Sequence, residues 1–181
     1  MRIGLIADTH LSRPDEELPP AVFRALDGSD LILHAGDVYH SKVLDALERI
    51  APVYCARGNG DHTLRDDPRV KESHVLDIQG RRIGLVHGLD YPEPSWRPLE
   101  RAMQTEFGGP VDILVYGDSH VPVVDVYKGV LVLNPGSPTL PFGLARPGHV
   151  GILELLDGRA QARIVALERW PAHIGDNPSG A

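Results

Sequence analysis

The chain has 181 residues, of which 42% are hydrophobic and 24% charged, a balance that suits one globular domain with a sizeable core and excludes a disordered or fibrous chain. Lys and Arg number 18 against 25 Asp and Glu, a formal charge of −7, which disfavours a broad footprint on long nucleic acid or an anionic membrane. No apolar run approaches the roughly 18 residues of a membrane span, Met1–Ala7 is too short for a signal-peptide core, and the single cysteine, Cys55, excludes an internal disulfide, so a cytoplasmic address is the default expectation.

In chain order, Arg2–Ala7 predicts a buried strand closing on Asp8 and His10, and Pro19–Leu26 a helix opened by prolines. Leu31–Leu33 predicts a strand closing on His34-Ala35-Gly36-Asp37. Ser41–Ile50 predicts a helix with Ser41 as N-cap and Val43, Leu44, Leu47 and Ile50 on one face. Val53–Ala56 closes on Gly58-Asn59, with Cys55 read as a buried structural thiol, and Arg82–Val86 closes on His87-Gly88. Pro94–Phe107 predicts a helix burying Trp96, Leu99, Met103 and Phe107, and Val111–Tyr116 closes on Gly117-Asp118-Ser119-His120. The last third is β-rich: Val123–Tyr127 and Val130–Leu133 flank Lys128-Gly129, and Val150–Leu155 and Gln161–Leu167 flank the hairpin signal Asp157-Gly158. Continuous apolar runs suit strands buried on both faces. An αβ opening and a β-rich close predict an α/β fold of two mixed sheets packed face to face with helices outside.

Five strand ends carry metal-ligand types: Asp8 with His10, Asp37, Asn59, His87, and Asp118 with His120. One such end is ordinary turn chemistry. Five in order predict convergence on one cleft, where three carboxylates repel unless cations neutralise them. A mixed carboxylate, imidazole and amide set suits manganese, iron, zinc or cobalt better than calcium or magnesium alone.

The ordered set Asp8-Thr9-His10, Gly36-Asp37, Gly58-Asn59, His87-Gly88 and Gly117-Asp118-Ser119-His120 resembles the calcineurin-like metallophosphoesterase superfamily. More narrowly, it resembles the small bacterial and archaeal phosphodiesterase branch, which shares its fold with a retromer subunit. Asn134-Pro135-Gly136-Ser137-Pro138 is similar to that branch's closing turn. The resemblance spans residues 1–168 as a single domain and leaves 169–181 as a C-terminal tail. It implies a four-layer αββα sandwich and two divalent transition metals, manganese first, with iron, nickel, cobalt or zinc as alternatives. Asp8, His10 and His120 would hold one metal, Asp37 would bridge, and Asn59, His87 and Asp118 would hold the other, with Asp37, Asn59 and His87 nearest the chemistry. The implied reaction is in-line attack on a phosphodiester, with monoesters as further substrates, by a hydroxide on the dinuclear site.

Two positions depart from the family pattern. Asp118 replaces the first histidine of Gly-His-x-His, which lowers the charge of the second position and turns it toward oxygen-preferring ions. Gly60 follows Asn59 where larger members carry a histidine that assists the leaving group, with His62 as the substitute candidate and a surface histidine as the commoner case. His34 reads as a support for a ligand or as a core histidine, Arg57 and Arg146 as phosphate contacts or, the commoner case, surface arginines, Asn134 and Ser137 as turn formers with cleft-lining as the lesser alternative, and His40, His74, His149 and His173 as exposed. The rival functions are a metal-poor interaction module of the same fold and a nuclease on short oligonucleotides. The expected partner is a small phosphoester, without a membrane, and a homo-oligomer is compatible with the sequence.

Overall fold

The structure is a computed structural model describing residues 1–13, 15–89, 99–140 and 148–168. The first half runs β1 (Arg2–Ile6), α1 (Pro20–Leu26), β2 (Leu31–His34), α2 (Ser41–Glu48), β3 (Val53–Ala56), a 3-10 turn at His62–Leu64, β4 (Val70–Lys71), β5 (Ser73–Ile78) and β6 (Arg81–Val86). The second half runs α3 (Leu99–Phe107), β7 (Ile113–Val115), β8 (Val123–Tyr127), β9 (Val130–Asn134), β10 (His149–Leu156) and β11 (Arg159–Ala166). Two mixed sheets result, ordered β11-β10-β1-β2-β3-β4 and β5-β6-β7-β9-β8. In the first, β1 to β4 are parallel and β10 is antiparallel to β1. In the second, β6, β7 and β9 are parallel between antiparallel edges.

Side-chain alternation explains why these strands read as unbroken apolar runs. Ile3, Leu5 and Ala7 of the β1 segment face the other sheet, as do Leu31 and Leu33, and they meet Ile83, Leu85, Ile113, Val115 and Leu133 between the sheets. The alternate residues Ile6, Ile32 and Cys55 face outward onto Val22, Leu26, Leu44 and Leu47 of α1 and α2. On the far side, Leu114, Tyr116 and Val132 pack against Leu99, Met103 and Phe107 of α3. The four-layer αββα expectation describes this arrangement.

Several local expectations need correction. Ser41 is the first helical residue rather than the cap; His40 occupies the cap position, without a side-chain capping bond. The strands β4 and β5 escape the sequence pattern, because β4 is two residues long and β5 is a half-exposed edge carrying charge. His74, expected at the surface, is buried in β5 and meets the Cys55 carbonyl at 2.8 Å across the junction of the sheets. His40 and His149 are half-buried rather than exposed, and the His40 ring meets the Ser12 carbonyl at 3.1 Å. Trp96 and the first turn of the third predicted helix, Arg146, His173 and the tail lie outside the described residues.

The seat of α3 depends on Gly84 of β6. A Cβ there would stand 2.6 Å from the Phe107 ring, so the helix approaches the sheet only because the strand lacks a side chain. Gly84→Ala is therefore expected to destabilise the protein by about 1–3 kcal/mol through overpacking, read as a lower urea midpoint at unchanged slope. An unchanged midpoint would mean that α3 does not pack there.

Candidate metal centre

The parallel strands β1, β2 and β3 of one sheet and β6 and β7 of the other direct their carboxyl ends to one edge, the usual place for a site in an α/β fold. Beyond the ladders, backbone bonds continue the register into the loops. Asp8 N–H donates to Gly36 O at 2.9 Å, His10 N–H to Asp37 O at 3.0 Å and Gly117 N–H to His87 O at 2.9 Å. The sheets are tied together by Asp118 N–H donating to Asp8 Oδ1 at 3.1 Å and the His87 ring donating from Nδ1 to Ala35 O at 2.7 Å. Gly36, at φ 92°, makes this approach feasible, since a Cβ there would lie 2.6 Å from His87 Nδ1.

Five ligand candidates adopt left-handed backbone: Asp8 at φ 52°, His10 at 45°, Asp37 at 55°, Asp118 at 67° and His120 at 57°. Such residues cost on the order of 1–3 kcal/mol each and persist where surrounding structure fixes them. Here the chain turns sharply at each strand end, and the polar side chains enter the cleft instead of continuing the strand alternation.

Two groups of ligand atoms result, each lying within 4.8 Å: Asp8, His10 and His120, and Asp8, Asp37 and His87. His10 Nε2 is 3.0 Å from His120 Nε2 and 3.5 Å from Asp37 Oδ2. His87 Nε2 is 3.6 Å from Asp37 Oδ1 and 3.5 Å from Asp118 Oδ1. Asn59 Nδ2 is 3.5 Å from Asp118 Oδ1 on the exposed side. All seven residues singled out in the sequence thus reach one cleft, Asp8 belonging to both groups and Asn59 and Asp118 forming the outer wall.

Hydrogen bonds at the far ring nitrogens set the imidazoles. His87 Nδ1 and His120 Nδ1 donate to the carbonyls of Ala35 and Leu140, at 2.7 and 2.6 Å. Because a carbonyl only accepts, each ring carries its proton on Nδ1 and offers a lone pair at Nε2. Buried His87 Nε2 and Asp8 Oδ2 have no hydrogen-bond partner. Burial raises the Asp8 carboxyl to about 7, against a lowering influence from His87, and burial also lowers His10, so both are held toward their uncharged forms. Unpartnered, inward-aimed lone pairs beside crowded carboxylates fit a divalent cation, which would replace missing hydrogen bonds and cancel like-charge repulsion.

Asp61 was missed by the sequence reading. Its buried carboxylate accepts the N–H groups of Asp37, Val38, Tyr39 and Gly58 at 3.0, 2.7, 2.8 and 2.8 Å, and so fixes the loop that presents Asp37. The only sequence signal was an Asp two positions after Gly58-Asn59, which also reads as a turn residue. Gly60 N–H completes the arrangement by donating to Asp37 Oδ1 at 2.8 Å. Of the two readings of His34, the core histidine is the one observed: fully buried, it accepts Gly36 N–H at 3.2 Å and meets Thr9 Oγ1 at 3.4 Å, bracing the loops before Asp37 and His10 without touching a ligand side chain. Asn134 and Ser137 are buried bolts, with Asn134 Nδ2 donating to Gly117 O at 2.8 Å and Ser137 Oγ to Asp8 O at 2.7 Å. His62 is exposed on the 3-10 turn, and Arg57 pairs with Glu72.

The profile of the calcineurin-like phosphoesterase superfamily domain matches residues 1–158, and the chain belongs to that family of metal-dependent hydrolases. A probable metallophosphoesterase of Methanothermobacter thermautotrophicus is 42% identical over 142 residues, covering 78% of this chain and 79% of the relative. A phosphodiesterase of Escherichia coli is 26% identical over 172 residues, covering 85% and 88%. Among solved structures, vacuolar protein sorting 29 of Cryptosporidium parvum superposes with a TM-score of 0.67 at 27% identity, covering 93% of this chain and 98% of the other. Among the described residues, no helix is long and apolar enough to cross a membrane.

Two outcomes follow from this geometry. Asp61→Asn places an amide N–H against a nest of backbone donors and should cost about 3 kcal/mol of stability and roughly 10- to 100-fold in manganese affinity; calorimetric titration at wild-type values would contradict the role. In metal-free protein, the folded Asp8 carboxyl holds its proton up to about pH 7 while the unfolded one loses it near 3.8, so its burial costs stability increasingly as pH rises between these values. Metal-free Asp8→Asn should therefore match wild type in melting temperature near pH 4 and exceed it at pH 8, by on the order of 4 kcal/mol in stability. A difference independent of pH would refute the buried-charge assignment.

Proposed function

We propose that the protein is a phosphodiesterase working through two adjacent divalent metals at this cleft. The observation that carries the reading is the pair of ligand groups sharing Asp8, with the Nε2 atoms of His10, His87 and His120 converging on them. Divalent metals bound there would lower the pKa of a water and neutralise phosphate oxygens. The residues then divide the work. Asp8, His10 and His120 would hold one position and Asp37 would face both. His87, Asn59 and Asp118 would hold the other, the one nearer solvent.

Charge favours the diester. Three carboxylates, Asp8, Asp37 and Asp118, set against two dications leave a surplus of about one positive charge for the substrate. Among the described residues, no lysine or arginine pairs with any of the seven ligand side chains. A monoanionic diester suits such a site better than a dianionic monoester, which is commonly gripped by guanidinium or ammonium groups. Asp118 also makes the outer position richer in oxygen than the one flanked by His10 and His120, which supports manganese there. Exposed Val124 and Val126, at 44% and 65% on the edge strand β8, give the interaction-module reading a physical basis. That reading leaves the buried, unpartnered Asp8 oxygen without a use.

Metal-stripped protein reconstituted with manganese, nickel, cobalt, zinc or magnesium should hydrolyse bis-p-nitrophenyl phosphate faster than p-nitrophenyl phosphate. Asp37→Asn should lose at least about 100-fold, since changes to groups behind the ligands already cost 10- to 100-fold, and Asp118→His should shift the preference of the outer position from manganese toward zinc or nickel. Absence of turnover with every metal, together with no bound metal by elemental analysis, would leave the interaction module as the better account.

A further inference from the structure

One imidazole is held differently from the other two. His87 and His120 anchor their Nδ1 atoms on carbonyls, whereas His10 Nδ1 meets the hydroxyl of Tyr39 at 3.2 Å. A hydroxyl can donate or accept, so it tolerates both tautomers of His10. The tautomer is coupled to what sits at Nε2. His120 carries its proton on Nδ1, so the 3.0 Å contact between the two Nε2 atoms requires His10 to donate from Nε2. Its Nδ1 is then bare and accepts the Tyr39 hydrogen. A cation held by both Nε2 atoms reverses this: His10 carries its hydrogen on Nδ1, donates to Tyr39 Oη, and the phenol hydrogen is released to another acceptor.

Tyr39 is held where such a hydrogen can be used. Its backbone is left-handed at φ 73°, its N–H donates to Asp61 at 2.8 Å and its carbonyl accepts Thr63 Oγ1 at 3.1 Å. The ring is half-buried and takes the space beside Asn59 that a side chain at position 60 would need, a Cβ on Gly60 falling 2.5 Å from Tyr39 Cζ and 2.9 Å from its oxygen. The hydroxyl therefore sits between His10 of one ligand group and the Asn59–Gly60 edge of the other.

We propose that Tyr39 is a substrate-contacting residue whose hydroxyl donates a hydrogen bond to a phosphoester oxygen, and that metal binding at His10 and His120 is what frees it to do so. No bond is made or broken at Tyr39; a hydrogen-bond donor changes its acceptor. This rests on the phosphoesterase reading above and adds to it a protein group that contacts the substrate.

The test uses the full-length protein and Tyr39→Phe, each saturated with manganese as checked by elemental analysis, and titrates inorganic phosphate calorimetrically. Tyr39→Phe is expected to bind phosphate about 10-fold more weakly at full metal occupancy, the worth of a hydrogen bond to a charged group. It should also lose more kcat/KM on a diester with a phenoxide leaving group than on its p-nitrophenoxide counterpart, because the poorer leaving group gains more from a donor. Equal phosphate affinity and an equal loss on both esters would reduce Tyr39 to an anchor of His10 and overturn the proposal. A Tyr39→Phe protein that takes up no manganese would overturn it too, by assigning the residue to the metal site alone. Wild-type protein that holds manganese but neither binds phosphate nor cleaves either ester would instead remove the phosphoesterase reading itself.

Discussion

The carboxylate of Asp8 is buried at the seam of two sheets, within reach of His87 and His120, with one oxygen hydrogen-bonded to Asp118 N–H and the other unpartnered. An isolated buried charge of this kind costs several kcal/mol, and burial accordingly drives the group toward its neutral form. Much of the surrounding structure holds this unfavourable arrangement in place. The left-handed residues at the strand ends, the His87 bond to the opposite sheet and the Ser137 bolt to the Asp8 carbonyl all fix atoms that would otherwise relax away. A cation bound beside Asp8 would relieve this arrangement, so metal binding would draw on energy stored during folding.

The division of labour between the sheets follows from topology. Parallel strands send their carboxyl ends in one direction, so a mixed sheet with a parallel centre gathers its loops at one edge. Two such sheets stacked face to face bring two loop sets together. Asp8, His10, Asp37 and Asn59 come from one sheet, and His87, Asp118 and His120 from the other. Neither sheet carries a complete set, which makes the inter-sheet core of Ile3, Leu5, Ile83, Leu85 and Val115 a determinant of site geometry as well as stability.

The doubly buried strands were legible because their apolar runs need no decoding of faces, and the convergence of the candidate ligands because each follows such a run. The order of the polar closures identified the family. Asp61 was not legible, because its role is to accept four backbone N–H groups from two loops, and an Asp after a Gly-Asn turn looks the same whether it does this or faces water. His74 was misassigned for a related reason: its burial comes from a strand, β5, whose charged, half-exposed pattern hides its existence. Tyr39 carried no spacing signal, since its relation to His10 and Gly60 exists only after three loops converge.

Anomalous diffraction from crystals soaked in manganese tests the central claim most directly. Two peaks roughly 4 Å apart are expected, one bounded by Asp8, His10 and His120 and the other by Asp37, His87, Asn59 and Asp118. Manganese found only on surface carboxylates, with the Asp8 cleft empty, would contradict the proposed metal centre.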